Sequence, residues 1–223
     1  LLGEARSDVF GDQPFGGEAS QGMERLPYNT LNEENPVISN YGRFYENINQ
    51  LNLMIYKILN TDNLTEAAGN YYLGQAYGMR AYYYFHLLRS WGDAIITTEP
   101  TEQLDLTNLA KAASPAEDVM KFIKNDIDES VKSFGSDYTI KGRKAFWSKA
   151  ATLMLKGEVY LWSAKQMGGG TGDANIAKAA LTDIRQNVPD LGLMENYKDV
   201  FAYSQKGNKE IIFAMRSELK EFD

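Results

Sequence analysis

The segment GQAYGMRAYYYFHLLRSWGD, residues 74–93, decides the predicted fold of this protein. Apolar residues recur in and around it every three or four positions, from Leu73 to Leu88, which is the spacing of one face of a helix. Gly92 ends this pattern, because glycine readily adopts the backbone conformation that follows a helix C-terminus. The pattern predicts one long helix over about 65–91.

The sequence on both sides predicts four more helices. An amphipathic helix precedes residues 60–63, and the short connection to the next helix places the two antiparallel and in contact. Ser114-Pro115-Ala116-Glu117 is typical of a helix start, with a capping serine and a glutamate three residues later. The four additional helices cover about 36–59, 115–134, 146–166 and 174–187.

The remaining chain is predicted to be irregular except for one short strand. Residues 1–35 contain several glycines and prolines and no sustained apolar period. Lys209–Ala214 has the β-branched and aromatic composition of a strand. We therefore predict a mainly all-α protein with an irregular N-terminal segment (1–35), a helical region (36–188), and a linker with a strand (189–223).

Two of the predicted helices resemble each other. Residues 78–85, which include Arg80, resemble residues 154–162, which include Lys156. Each segment combines a basic residue, a small residue and a run of bulky aromatic side chains. Helix pairs whose second helix has a small residue facing its partner resemble tetratricopeptide units, although the 76 residues from Arg80 to Lys156 exceed the standard repeat of about 34 residues. The helical region is therefore predicted to consist of tetratricopeptide-like pairs.

Composition excludes several classes of function. The chain has no Cys and a single His, His86, so thiolate chemistry and His-rich metal sites are excluded. Its net charge of −7 and the absence of a basic cluster argue against nucleic acid as a partner. The carboxylates Asp126, Asp128 and Glu129 lack the glycine turn of a calcium loop and are predicted to lie on a solvated helix face. No cofactor or metal ion is expected.

The motifs in residues 36–215 resemble those of the SusD/RagB family, whose signature is an Ala-x-x-x-Arg-Ala-x-x-Tyr-Phe-x-Leu helix that ends in aromatic-Gly-Asp. Residues 76–93 match this signature, with Trp91 where the family usually has Tyr. Other family motifs follow in order. They are Tyr41-x-x-x-Tyr45-x-x-Ile48-x-x-x-Asn52, Asp126-Ile127, Gly142-Arg143, Tyr160-Leu161-Trp162, Tyr197-x-x-x-Phe201 and Asn208-x-Glu210-Ile211-Ile212-Phe213.

The resemblance implies a lipoprotein on the outer face of the outer membrane, anchored by an N-terminal lipid that this chain lacks. Such proteins capture oligosaccharides and deliver them to a SusC-like TonB-dependent transporter. Family members are longer and begin with a lipidated Cys, so the chain is expected to be the N-terminal part of such a protein. No run of about 20 apolar residues predicts a membrane span.

The residues before the first long helix are the candidate glycan site. Sugars pack their C–H groups on aromatic faces, and their hydroxyls need polar partners. The resemblance places Asp8, Arg25, Asn40 and Tyr41 at matching positions, and Tyr28 adds a second aromatic ring. The alternative interpretation is structural, with Tyr41 in the buried face of the helix and Asp8 capping a turn.

Three functional hypotheses follow from the sequence. The leading one is a non-catalytic protein that binds glycans. The second is a helical-repeat scaffold that binds a protein or peptide. The third, a glycoside hydrolase, needs two carboxylates facing each other across a cleft, which sequence alone does not show.

Overall fold

The computed structural model describes residues 40–102 and 110–215. This part of the chain contains six α-helices and no sheet, which confirms the all-α prediction. We number the helices in chain order. They are α1 (Gly42–Leu59), α2 (Glu66–Trp91), α3 (Ala116–Phe134), α4 (Lys149–Gln166), α5 (Gly170–Asn187) and α6 (Tyr197–Val200).

Internal contacts divide the chain into two compact units, Leu1–Asn47 and Ile48–Asp223. This division does not test the three-part organisation predicted from the sequence, which stays a prediction. None of the helices in the described part of the chain is long and apolar enough to cross a bilayer.

The helices of the second unit pack as antiparallel neighbours. Helix α2 packs most extensively on α3, and α4 on α5. Each of these pairs has a glycine on its first helix that lies against a side chain of the second helix. A Cβ atom at Gly74 would lie 2.7 Å from the Phe134 ring, and one at Gly157 would lie 2.8 Å from Leu181. Gly157 follows Lys156 and is the small residue predicted to face a partner helix, whereas the contact at Gly74 was not predicted.

A buried polar cluster joins α1, α2 and α3. The Arg80 guanidinium donates hydrogen bonds from Nε and Nη2 to the two carboxylate oxygens of Asp126, at 2.7 and 2.8 Å. Its Nη1 donates to Asn52 Oδ1 at 2.7 Å. Asp126 has no exposed surface, so the prediction that it lies on a solvated face is wrong. The apolar spacing of α3 did not show that its buried face includes one carboxylate with an arginine partner.

The start of α3 also differs from the prediction. The Ala116 N–H donates to Asp93 Oδ1 at 2.8 Å, so Asp93 caps this helix across the chain. Ser114, the predicted cap, instead pairs its backbone with Ala94 in an antiparallel β-bridge. The Ser114 backbone is bonded to Ala94 in this bridge, and the Asp93 carboxylate caps the helix N-terminus instead.

The strand predicted at Lys209–Ala214 does not form, because no neighbouring strand is available among the described residues. The Ala214 N–H donates to the Lys144 carbonyl, and the Gly192 N–H donates to the Lys209 carbonyl. Within the described part of the chain, the N–H groups of Ile212 and Phe213 make no hydrogen bond. β-Propensity alone does not produce a strand without a partner edge.

Candidate functional site

Two of the five predicted site residues lie in the described part of the chain. Asn40 precedes α1, and its Oδ1 accepts a hydrogen bond from the Gly42 N–H at 2.8 Å. The Tyr41 side chain is 44% exposed, so it does not belong to the buried face of the helix. Asp8, Arg25 and Tyr28 lie outside the described residues, and their proximity to Tyr41 stays a prediction.

Tyr41 forms an aromatic pair with Tyr45, one helical turn further along. The ring centroids are 5.7 Å apart and the ring planes are inclined at 69°. An exposed ring in this arrangement can pack against the C–H face of a sugar, while the neighbouring ring limits its rotation. The sequence showed Tyr45 as part of a family motif but did not identify it as a candidate for binding.

The loop after α2 is held by side chains from two helices. Asn49 on α1 both donates to the Thr101 carbonyl and accepts from the Thr101 N–H, at 3.2 and 2.7 Å. Asn52 Nδ2 donates to the Thr97 carbonyl, and the Tyr84 hydroxyl accepts from the Thr97 N–H. This loop therefore has a defined backbone position. The sequence showed Asn52 as part of a family motif but did not indicate that its side chain holds this loop.

The aromatic run of α2 has two roles. Tyr84 and Phe85 have no exposed surface, which agrees with the predicted core packing. Tyr82 is half-buried and lines a groove of about 360 Å³ together with Trp147, Met154 and Phe213. The Trp147 Nε1–H donates to Thr152 Oγ1 at 2.8 Å, which orients this ring at the base of the groove.

His86 is half-buried beside the ring of Tyr82, with the two ring centroids 4.5 Å apart. Burial lowers the pKa of His86 from its ordinary value of 6.5, Arg89 lowers the pKa further, and Glu158 opposes both effects. The stabilisation that results from the lowered pKa of His86 is therefore fully present above pH 6.5. It is lost as the pH falls through the lower pKa of the folded protein.

We expect an NMR titration to place the pKa of His86 below that of the same residue in the urea-unfolded chain. The assignment is unambiguous because His86 is the single histidine of the sequence. The variant Glu158→Gln should lower the pKa further, since it removes the charge that favours the imidazolium. A folded-state pKa at or above the unfolded value contradicts this prediction.

No group of three or more His, Asp or Glu side chains in residues 40–102 and 110–215 is placed to hold a metal ion. The candidate binding groups of this region are exposed tyrosine rings, amide side chains and the side chains that line the aromatic groove. The fold and these residues together define an all-α protein of antiparallel helix pairs that carries exposed aromatic and amide groups.

Comparisons with known proteins identify the family. A family model described as SusD-like, starch-binding associating with outer membrane, matches residues 15–161. A SusD-like protein of Bacteroides ovatus is 34% identical over 157 residues, which are 69% of this chain and 28% of that protein. The chain belongs to the SusD-like family.

Solved structures agree with this assignment. The structure of Bacteroides fragilis NanU is 58% identical, with a TM-score of 0.89 over 99% of this chain and 44% of that chain. A structure described as a complex with a xylogluco-oligosaccharide is 28% identical, with a TM-score of 0.68 over 83% of this chain and 36% of that chain. This chain therefore spans less than half the length of each of these three relatives.

Proposed function

We propose that this protein binds oligosaccharides without transforming them, at the surface of the outer membrane, and passes them to a SusC-like TonB-dependent transporter. Lipid anchoring at the N-terminus of the intact protein belongs to the same proposal. The observation that carries it is membership of a family described as starch-binding and associated with the outer membrane. The relative solved with a xylogluco-oligosaccharide supports the ligand class.

The proposed site is the region around Asp8, Arg25, Tyr28, Asn40 and Tyr41. Its support is the exposed Tyr41 ring, which lies against Tyr45 at the start of α1. Binding would bury the Tyr41 ring against a sugar face, and neighbouring carboxylate, amide and guanidinium groups would pair with hydroxyls. Such contacts give reversible binding, because each of them is individually weak.

The variant Tyr41→Ala tests this site. We expect it to weaken glycan binding about 10- to 100-fold, since burial of an aromatic ring contributes about 1.5–3 kcal/mol. Isothermal titration calorimetry with maltohexaose, laminarihexaose and a xylogluco-oligosaccharide measures the change. The melting temperature should remain that of the unmodified protein, because the ring is largely outside the core.

Tyr56→Ala is the matched control, because Tyr56 lies on α1, the helix that follows Tyr41, and is 45% exposed. It should leave the affinity unchanged. Equal affinities for Tyr41→Ala and the unmodified protein would remove Tyr41 from the site. Failure of all three glycans to bind, together with specific capture of a protein, would favour the helical-repeat scaffold instead.

A further inference from the structure

A second concave surface lies between the loop after α3, the end of α5 and the segment around Lys206. It forms a cavity of about 710 Å³. Its polar lining includes Asp137, Lys144, Asp190 and Lys206. Pockets that bind small ligands usually measure about 300–1,000 Å³, so this cavity has room for an oligosaccharide segment.

The backbone at the cavity wall is strained. Lys144 has a φ of +68° and is the one non-glycine residue with positive φ in the described part of the chain. Its side chain donates to the Asn208 carbonyl at 2.6 Å, and its carbonyl accepts from the Ala214 N–H at 3.0 Å. Strained residues held in this way are concentrated at binding sites, where a defined side-chain position offsets the strain.

The aromatic wall of the cavity is also fixed in position. The Tyr138 hydroxyl donates to Asp183 Oδ1 at 2.6 Å, and the Lys149 ammonium lies 3.9 Å from the centre of the Tyr138 ring. Burial and the adjacent Asp183 carboxylate raise the pKa of Tyr138 to about 12, so its hydroxyl stays protonated. Asn187 Nδ2 donates to the same carboxylate oxygen at 2.7 Å. The Tyr138 ring is therefore held in position by contacts within the protein.

The polar groups at the cavity favour a neutral ligand rich in hydroxyls. Asp137 and Asp190 balance Lys144 and Lys206, so a ligand with net charge of either sign meets as much repulsion as attraction. Hydrogen bonds from Thr139 lower the pKa of Asp137 and keep it ionised. In the described part of the chain the Asp190 carboxylate accepts no hydrogen bond. A carboxylate only accepts and an ammonium only donates, whereas a sugar hydroxyl does both.

We propose that this cavity binds a neutral oligosaccharide, with Asp190 accepting from and Lys206 donating to its hydroxyls beside the Tyr138 ring. This site goes beyond the proposed function, which places the glycan around Tyr41. A metal ion is the less suitable occupant, since the two ammonium groups of the lining would repel it.

The variant Asp190→Ala of the full chain tests this site, with maltohexaose, laminarihexaose and a xylogluco-oligosaccharide as probes. We expect the dissociation constant of at least one probe to rise about tenfold, because a hydrogen bond to a charged group is lost. Asp190→Asn keeps an acceptor oxygen and should restore part of the affinity. Asp62→Ala makes the same charge change at an exposed turn and should have no effect.

The outcomes separate this site from the site at Tyr41. A loss of affinity in Asp190→Ala, with an unchanged melting temperature and partial recovery in Asp190→Asn, supports the cavity as a glycan site. Binding that Tyr41→Ala weakens and Asp190→Ala leaves unchanged overturns this inference and leaves the proposed function intact. Failure of all three probes to bind the unmodified protein overturns both.

Discussion

Replacing Asp126 by alanine is expected to lower the free energy of unfolding by about 3–5 kcal/mol, the usual cost of leaving one partner of a buried ion pair uncompensated. Arg80 would then keep its charge at a position where only 4% of the residue is exposed. Its remaining described hydrogen-bond partner would be Asn52, at 2.7 Å. Urea unfolding followed by circular dichroism measures the loss.

The neighbouring carboxylate Asp128 supplies the control. It pairs with Lys156 at 2.7 Å, but its side chain is 57% exposed. Asp128→Ala should therefore cost at most about 1 kcal/mol, since solvent screens exposed ion pairs. Similar losses for the two variants would show that burial does not set the strength of the Arg80–Asp126 interaction.

A double variant keeps the prediction testable if Asp126→Ala does not fold. Arg80→Met combined with Asp126→Leu removes both buried charges and keeps much of the side-chain volume. We expect it to be more stable than Asp126→Ala, because no unpaired charge remains in the core. A double variant less stable than the single one contradicts this explanation.

Gly78→Ala is the second change with a large expected effect. A Cβ atom at Gly78 would overlap Trp147 Nε1 and lie 2.9 Å from Thr152 Oγ1. It would displace Trp147 and break the hydrogen bond between these two side chains, which measures 2.8 Å. We expect a loss of about 3 kcal/mol from overpacking and the broken buried hydrogen bond.

Gly69→Ala, in the same helix, should not destabilise the protein. A Cβ atom there would lie 3.6 Å from Ile58 Cγ2, an ordinary contact distance. Alanine is favoured over glycine in helices by about 1 kcal/mol, so this variant should be neutral or slightly more stable. Melting temperatures of the two variants provide the comparison, and destabilisation of equal size in both would contradict the steric explanation.

Local sequence predicted most of the helices because their signals come from residues three or four positions apart. The Leu73–Leu88 spacing located α2, and Gly92 marked its end, where φ is +79°. The small residue after Lys156 indicated a close helix contact, and Gly157 lies against Leu181 of α5. Helix α5 begins at Gly170, four residues earlier than predicted, because its glycines hid the helical pattern.

The candidate site was only partly predictable. The family motif identified Tyr41 as a candidate, and the residue is 44% exposed, while its role in binding stays a prediction. The cavity lined by Asp137, Lys144 and Asp190 was not predicted, because its residues come from separate loops and no spacing in the sequence connects them. The positive φ of Lys144 gave no sequence signal either, since lysine is not a residue that indicates left-handed backbone.

The sequence by itself determined the helical class, the approximate helix ranges and the family, because these depend on local periodicity and on ordered motifs. The tertiary structure alone decided that Asp126 is buried, that Asp93 rather than Ser114 caps α3, and that Lys209–Ala214 forms no strand. Each of these depends on a partner distant in the chain. Asp126 is paired with Arg80, Ser114 is bonded to Ala94, and the described residues offer no edge for a strand.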